Sequence, residues 1–158
     1  MSDTSTQLAD KLTSEGERTL AFFRAIPPEK WDAQLYTDGA QWSIRQAFEH
    51  LCISEHGMKR LCEQIVYENG NGAAKDFDID AYNKSKTNRF AQMSNAELQA
   101  LYAETRQQTT ALARKLTDEQ LALRGNHPAM GDSSVQDILK MLYIHNTMHV
   151  KDVKKALG

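Results

Sequence analysis

Apolar positions recur at three- and four-residue intervals along nearly the whole chain, the spacing of amphipathic helices rather than strands. From about Asp3 to Ala25, Leu8, Leu12, Thr19, Phe22 and Phe23 form one stripe that continues to Ile26, and Pro27-Pro28 stops the helix. A long connection through Trp31 and Tyr36 to Gly39 follows. The next helix has a marked start: Ser43 and Gln46 fit a capping box, with Trp42 where a hydrophobic staple would sit. Its stripe is Ile44, Phe48, Leu51, Met58 and Cys62, and it should run to about Tyr67. Glu68-Asn69-Gly70-Asn71-Gly72 cannot continue a helix cheaply, so a mobile loop is expected there. A shorter helix fits Ile79 to Phe90. Ser94 and Glu97 open a third long helix that buries Leu98, Leu101, Leu112 and Leu116, with Thr105 and Thr109 as polar anomalies on the same stripe. The stretch from Arg124 to Gly131 reads as a loop, and a last helix capped at Ser133 with Gln136 runs to about Leu157. Four long helices with these connections predict an all-α fold, a four-helix bundle forming a single domain over residues 1–158.

Composition narrows the function classes. With 158 residues, 41% apolar and 25% charged, the chain can bury a core as an ordinary globular domain. The net charge is −2 and no basic block occurs, which argues against nucleic acid as a partner. No apolar run approaches bilayer length, and the polar start MSDTSTQLADKL lacks the apolar core of a signal peptide, so no membrane association and a cytoplasmic location are expected. Cys52 and Cys62 stand ten residues apart on one helix, about 15 Å, too far for a disulfide. Both are expected to be small core residues.

Candidate chemistry lies in the histidines. His145 and His149 are four residues apart, so their rings share one helix face about 40° apart, the spacing that lets two imidazoles grip one metal ion. Ile138 and Leu142 share that face, which turns both rings inward. Two buried imidazoles each bring a donor and an acceptor that need partners. A metal ion would satisfy them, as would hydrogen bonds to polar neighbours such as Thr105, and the residues alone leave both readings open. His50 flanks the stripe of the second helix beside Ala47, Ser54 and Gly57, small residues that leave room for a cavity. It supplies a third imidazole from a second helix, and three histidines with an open fourth position suit a catalytic rather than a structural zinc site. His56 is turned about 120° from His50 and should lie at the surface. His127 reads as a turn residue or one hanging over a pocket mouth.

Trp42-Ser43-Ile44-Arg45-Gln46 followed by His50-Leu51, the H-x-x-x-H of His145 and His149, and the middle segments Asp80-Ala81-Tyr82-Asn83 and Ser94-Asn95-Ala96-Glu97-Leu98 together resemble the DinB-like (DinB/YfiT) superfamily. The resemblance spans nearly the whole chain. It implies a four-helix bundle, often a homodimer, with a divalent ion such as zinc or nickel on His50, His145 and His149. It also implies a thiol-dependent S-transferase acting with a small-molecule thiol on an electrophilic substrate, or a metal-dependent hydrolase. Relatives that use mycothiol place Glu at one ligand position. This chain has His there, which sets it nearer the all-histidine branch. A hydrolase would want a carboxylate base, and none is evident on the histidine face, since Glu49 points about 100° from His50. A non-catalytic metal- or ligand-binding module of stress-response type is the competing class, and a bundle with hydrogen-bonded, metal-free histidines is the third.

Overall fold

The computed structural model describes residues 3–35 and 42–158; Tyr36 and Gly39 of the long connection, and the side chains of residues 3 and 87–89, lie outside that description. The four long helices are α1 (Asp3–Arg24), α2 (Ile44–Tyr67), α4 (Asn95–Lys115) and α6 (Val135–Leu157). A 3-10 turn (Pro28–Lys30), α3 (Ile79–Phe90), the short α5 (Asp118–Leu121) and two strands, β1 (Arg124–His127) and β2 (Gly131–Ser134), occupy the connections. Helices α1 and α2 each pack against both α4 and α6, so the consecutive helices α1 and α2 sit on a diagonal of the bundle. The connection between them is long because it must cross the end of the bundle.

The predicted starts hold where the cap chemistry is unambiguous. Ser43 accepts from the Gln46 amide while the Gln46 side chain accepts from the Ser43 amide, a complete capping box. Ser94 accepts from the Glu97 amide. Thr105 and Thr109 are buried, and their hydroxyls donate back to the carbonyls of Leu101 and Thr105, which satisfies them inside the helix. Cys52 and Cys62 are buried free thiols, and burial is the main cause that pushes the Cys62 thiol up to about 12.

Three expectations are corrected. The segment from Arg124 to Gly131 is not an open loop but forms most of an antiparallel hairpin, with Gly125 opposite Ser133 and His127 opposite Gly131. The hairpin also absorbs Ser133, whose hydroxyl donates to the Gly131 carbonyl, so α6 is capped instead by Ser134, which accepts from the Asp137 amide. The Glu68–Gly72 segment is a loop, but a fastened one. The Asn126 amide donates to the Asn71 carbonyl (2.7 Å), the Ala73 amide to the Asn126 carbonyl (2.8 Å) and the Gly72 amide to Gln64 Oε1 (2.9 Å). Gly72 has φ +90°, and a Cβ there would stand 2.3 Å from the Asn126 nitrogen, so only glycine fits.

Apolar burial falls into two clusters. One gathers Leu8, Leu12, Cys62, Leu112, Leu116 and Ile138; the other gathers Phe23, Phe48, Leu51, Leu98, Tyr102 and Val153. Each long helix passes from one to the other, and at the crossing α2, α4 and α6 carry the buried polar residues Glu55, Arg106 and Asn146. Arg106 grips both carboxylate oxygens of Glu55 (3.0 and 2.8 Å) and donates a third bond to the Leu12 carbonyl of α1 (2.8 Å). Gly16 makes room on α1, where a Cβ would lie 2.8 Å from Arg106 Cγ. With its amide oriented to satisfy both ends, Asn146 accepts from the Tyr102 hydroxyl (2.5 Å) and Arg106 Nη2 (2.6 Å) and donates to the Leu142 carbonyl (3.1 Å).

Breaking this pair from one side should be far worse than removing it whole. We predict that Arg106→Met lowers the unfolding free energy by about 3–5 kcal/mol, because it strands a buried carboxylate. Glu55→Met/Arg106→Met should recover much of that loss. Urea unfolding followed by circular dichroism measures both, and a double variant as unstable as the single one would show the pair to be net stabilising.

Candidate metal centre

Helix α6 carries His145 and His149 on one face, and the packing of α2 on α6 brings His50 opposite them. His50 Nε2 lies 3.0 Å from His145 Nε2, and His149 Nε2 lies 2.9 Å from the same atom. All three rings are half-buried. The rings meet edge to face, with centroids 4.8, 5.2 and 4.5 Å apart. Three ring nitrogens converging on one point cannot satisfy one another, because His145 Nε2 can make only one good bond to two neighbours. A divalent ion with Zn–N distances near 2.0–2.1 Å in a tetrahedral shell would set nitrogens about 3.3 Å apart, close to the two separations from His145, and all three ligand nitrogens lie within 4.8 Å of one another. The residues therefore fit a metal of the imidazole-binding group, with a fourth position open.

Electrostatics agree with the geometry. Burial, then the neighbouring His145 and His149, depress His50 to about 3. Burial, with His149 and His127, depresses His145 to about 4. His149 is lowered by burial against the opposing pull of the Asp152 carboxylate. All three rings are neutral near pH 7 with lone pairs available, the state in which imidazole binds metal. His50 Nδ1 is buried without a hydrogen-bond partner, so this ring is held by packing and by the Trp42 indole, 4.8 Å away centroid to centroid. Trp42 also lies 6.3 Å from the His149 ring, so the residue expected as a helix staple lines the histidine cluster.

A cavity of about 390 Å³ between α2, α3 and the 68–73 loop opens beside the cluster, with His50, Ser54, Gly57, Tyr82 and Pro128 in its wall. Ser54 and Gly57 supply the space their size predicts, whereas Ala47 is sealed in the core. His56 is exposed and stays apart from the cluster. Glu49 is buried and bonded to Arg45 Nε (2.9 Å), as its angle on the helix required. One carboxylate was missed: Asp152 stands close enough to act on His149. The signal was present, since Asp152 is seven residues past His145 and so on nearly the same helix face. His127 is buried at the end of β1, and its Nδ1 accepts from the amides of Ala129 and Met130 (both 3.0 Å).

Comparison with known proteins places these features in a family. The family model described as the DinB superfamily matches residues 11–153. YfiT of Bacillus subtilis (strain 168), to which metal-dependent hydrolase activity is provisionally ascribed, is 28% identical over 134 residues, covering 80% of this chain and 73% of its own. Its solved structure, described as having an unusual four-helix bundle topology, superposes with a TM-score of 0.72 at 20% identity over 98% of this chain and 84% of the other. A mutant of the mycothiol-dependent maleylpyruvate isomerase superposes with a TM-score of 0.72 at 12% identity, over 94% of this chain but only 58% of that longer one.

The depressed histidines make a pH prediction for metal-free protein. Between the folded values and the ordinary histidine pKa near 6.5, the unfolded chain binds protons that the folded chain does not, so stability rises with pH. The contribution is complete above about pH 6.5 and is lost as pH falls toward 4. The melting temperature of chelated protein should therefore drop steadily from pH 7 to pH 4.5, and His145→Asn should flatten that slope. A wild-type slope no steeper than that of the variant would contradict the assignment.

Proposed function

We propose a metal-dependent enzyme for this chain, which belongs to the DinB superfamily. The convergence of three neutral imidazole nitrogens on one point carries the reading: His50, His145 and His149 hold one divalent ion and leave one side open toward solvent and substrate. When bound there, the ion lowers the pKa of a coordinating thiol or water and so supplies a nucleophile near neutral pH. The chain contributes the rest. Its neutral ligands leave the positive charge undiminished, which favours a thiolate over a thiol. The cavity beside His50, with Ile53, Met58, Leu61 and Phe77 in its wall, offers an apolar surface for an electrophilic small molecule. Transfer of that molecule to a low-molecular-weight thiol is the reaction we favour, and a mycothiol-dependent isomerase with the same fold supports a thiol cosubstrate.

Hydrolysis is the second reading, favoured by Asp152 and by the activity ascribed to YfiT. In that version Asp152 either takes a proton from water or holds His149 in position, as carboxylates behind metal-ligating histidines do.

The two readings part in one experiment. Metal-loaded protein is mixed with bacillithiol, glutathione or cysteine and monochlorobimane, and conjugate fluorescence is followed beside chelated protein and His50→Ala. The transferase reading expects faster conjugation only in the loaded wild type, for at least one thiol. Equal rates throughout would exclude it. Cleavage of a p-nitrophenyl ester that needs metal and is lost in Asp152→Asn would then favour the hydrolase.

A further inference from the structure

Ser54 stands one turn past His50 on α2. Helical side chains lean toward the N-terminus, so its hydroxyl lies over the turn that carries His50. A hydroxyl inside a helix ordinarily donates to the carbonyl four residues back, as Thr13, Thr19, Thr105, Thr109 and Thr147 do here at 2.9 or 3.0 Å. Ser54 does not. Its Oγ lies 3.5 Å from His50 Nε2, the same nitrogen that faces His145, and among the described residues it has no other partner. That distance is at the outer limit of a hydrogen bond, so the hydroxyl is held loosely. Ser54 and His50 also stand together in the wall of the cavity of about 390 Å³. A molecule seated there meets the hydroxyl and a ligand nitrogen on one surface.

A metal ion bound at His50 Nε2 uses the lone pair that the hydroxyl faces, and so leaves the hydroxyl in need of another acceptor. Ligand atoms of a tetrahedral shell stand about 3.3 Å from one another, and Ser54 Oγ is already at a similar distance from one of them. The acceptor within its reach is an atom that joins the shell from the cavity side. We propose that Ser54 is a binding residue of the centre, whose hydroxyl donates a hydrogen bond to the sulfur of a small thiolate held at the open side of the His50–His145–His149 cluster. The proposal rests on the transferase reading above and adds to it a group of this chain that touches the nucleophile. As the thiol binds, its S–H proton leaves to solvent and its sulfur becomes an acceptor only, so a donor beside it favours the bound anion. The small size of Ser54 helps to open the cavity, and its hydroxyl acts on what enters.

Two substitutions separate the hydroxyl from the space it occupies. Ser54→Ala removes the donor and suits a helix, whereas Ser54→Thr keeps a hydroxyl. Each protein is loaded with cobalt(II) and titrated with 2-mercaptoethanol, and the sulfur-to-cobalt charge-transfer band reports binding. A hydrogen bond to the sulfur stabilises its lone pairs and moves that band to shorter wavelength, a signature that a purely structural role would not produce. We expect equal cobalt uptake in all three proteins. Ser54→Ala should bind the thiol about tenfold more weakly, with its band at longer wavelength than that of wild type, and Ser54→Thr should lie nearer wild type in both. A Ser54→Ala variant with wild-type affinity or an unmoved band overturns the proposal while leaving the metal centre intact, as does a Ser54→Thr variant no better than Ser54→Ala. Cobalt uptake by the wild type without any thiolate band overturns the transferase reading along with this one, and absence of cobalt uptake overturns the metal centre itself.

Discussion

The buried Glu55–Arg106 pair is the constraint on which the rest of the bundle depends. Two opposite charges removed from water are tolerable only if every donor and acceptor is met. Arg106 meets that demand with Glu55 of α2, the Leu12 carbonyl of α1 and Asn146 of α6, so one side chain of α4 touches all three other long helices. Apolar clusters on either side could slide by small steps at modest cost, whereas this layer has one register in which it is satisfied. Asn146 stands between His145 and His149 in sequence. The bonds that fix its direction also fix the rotation of α6, and so aim the two histidines toward α2 and His50. The ion pair and the histidine cluster are thus two outcomes of one alignment.

The same alignment explains how a site can be open in so short a chain. The apolar clusters supply the stability, so the half-buried rings do not have to. The three histidines are held by helices, which position ligands more rigidly than loops do. The parts that shape the approach come from connections: Trp42 before α2, the fastened 68–73 loop, α3 and the hairpin. Under the proposed function, the helix faces hold the ion and the connections shape the approach to it.

Much of this was legible in the sequence, for reasons that differ by element. The long helices declare themselves through apolar periodicity and the Ser43 box, and Ile79–Phe90 emerged with the bounds observed. The i, i+4 pair of His145 and His149 fixed their shared face, and the small residues after His50 marked the cavity. The hairpin was hidden because its strands are only four residues each of Arg, Gly, Asn, His, Asp and Ser, with no alternation to detect. Glu55 and Arg106 were hidden because charged residues 51 positions apart carry no local sign of pairing. Trp42 was located correctly but given a local role, since nothing in its neighbourhood announces a ring 107 residues away. Asp152 alone was a signal present and overlooked.

The central claim is that the three converging histidines form a metal centre, and elemental analysis of protein purified without a histidine tag tests it most directly. The account predicts about one divalent ion per chain in the wild type and in His56→Ala, and none above background in His145→Ala/His149→Ala. A folded double variant that retains the wild-type metal content would contradict it, as would a wild type that takes up no zinc or nickel when both are supplied.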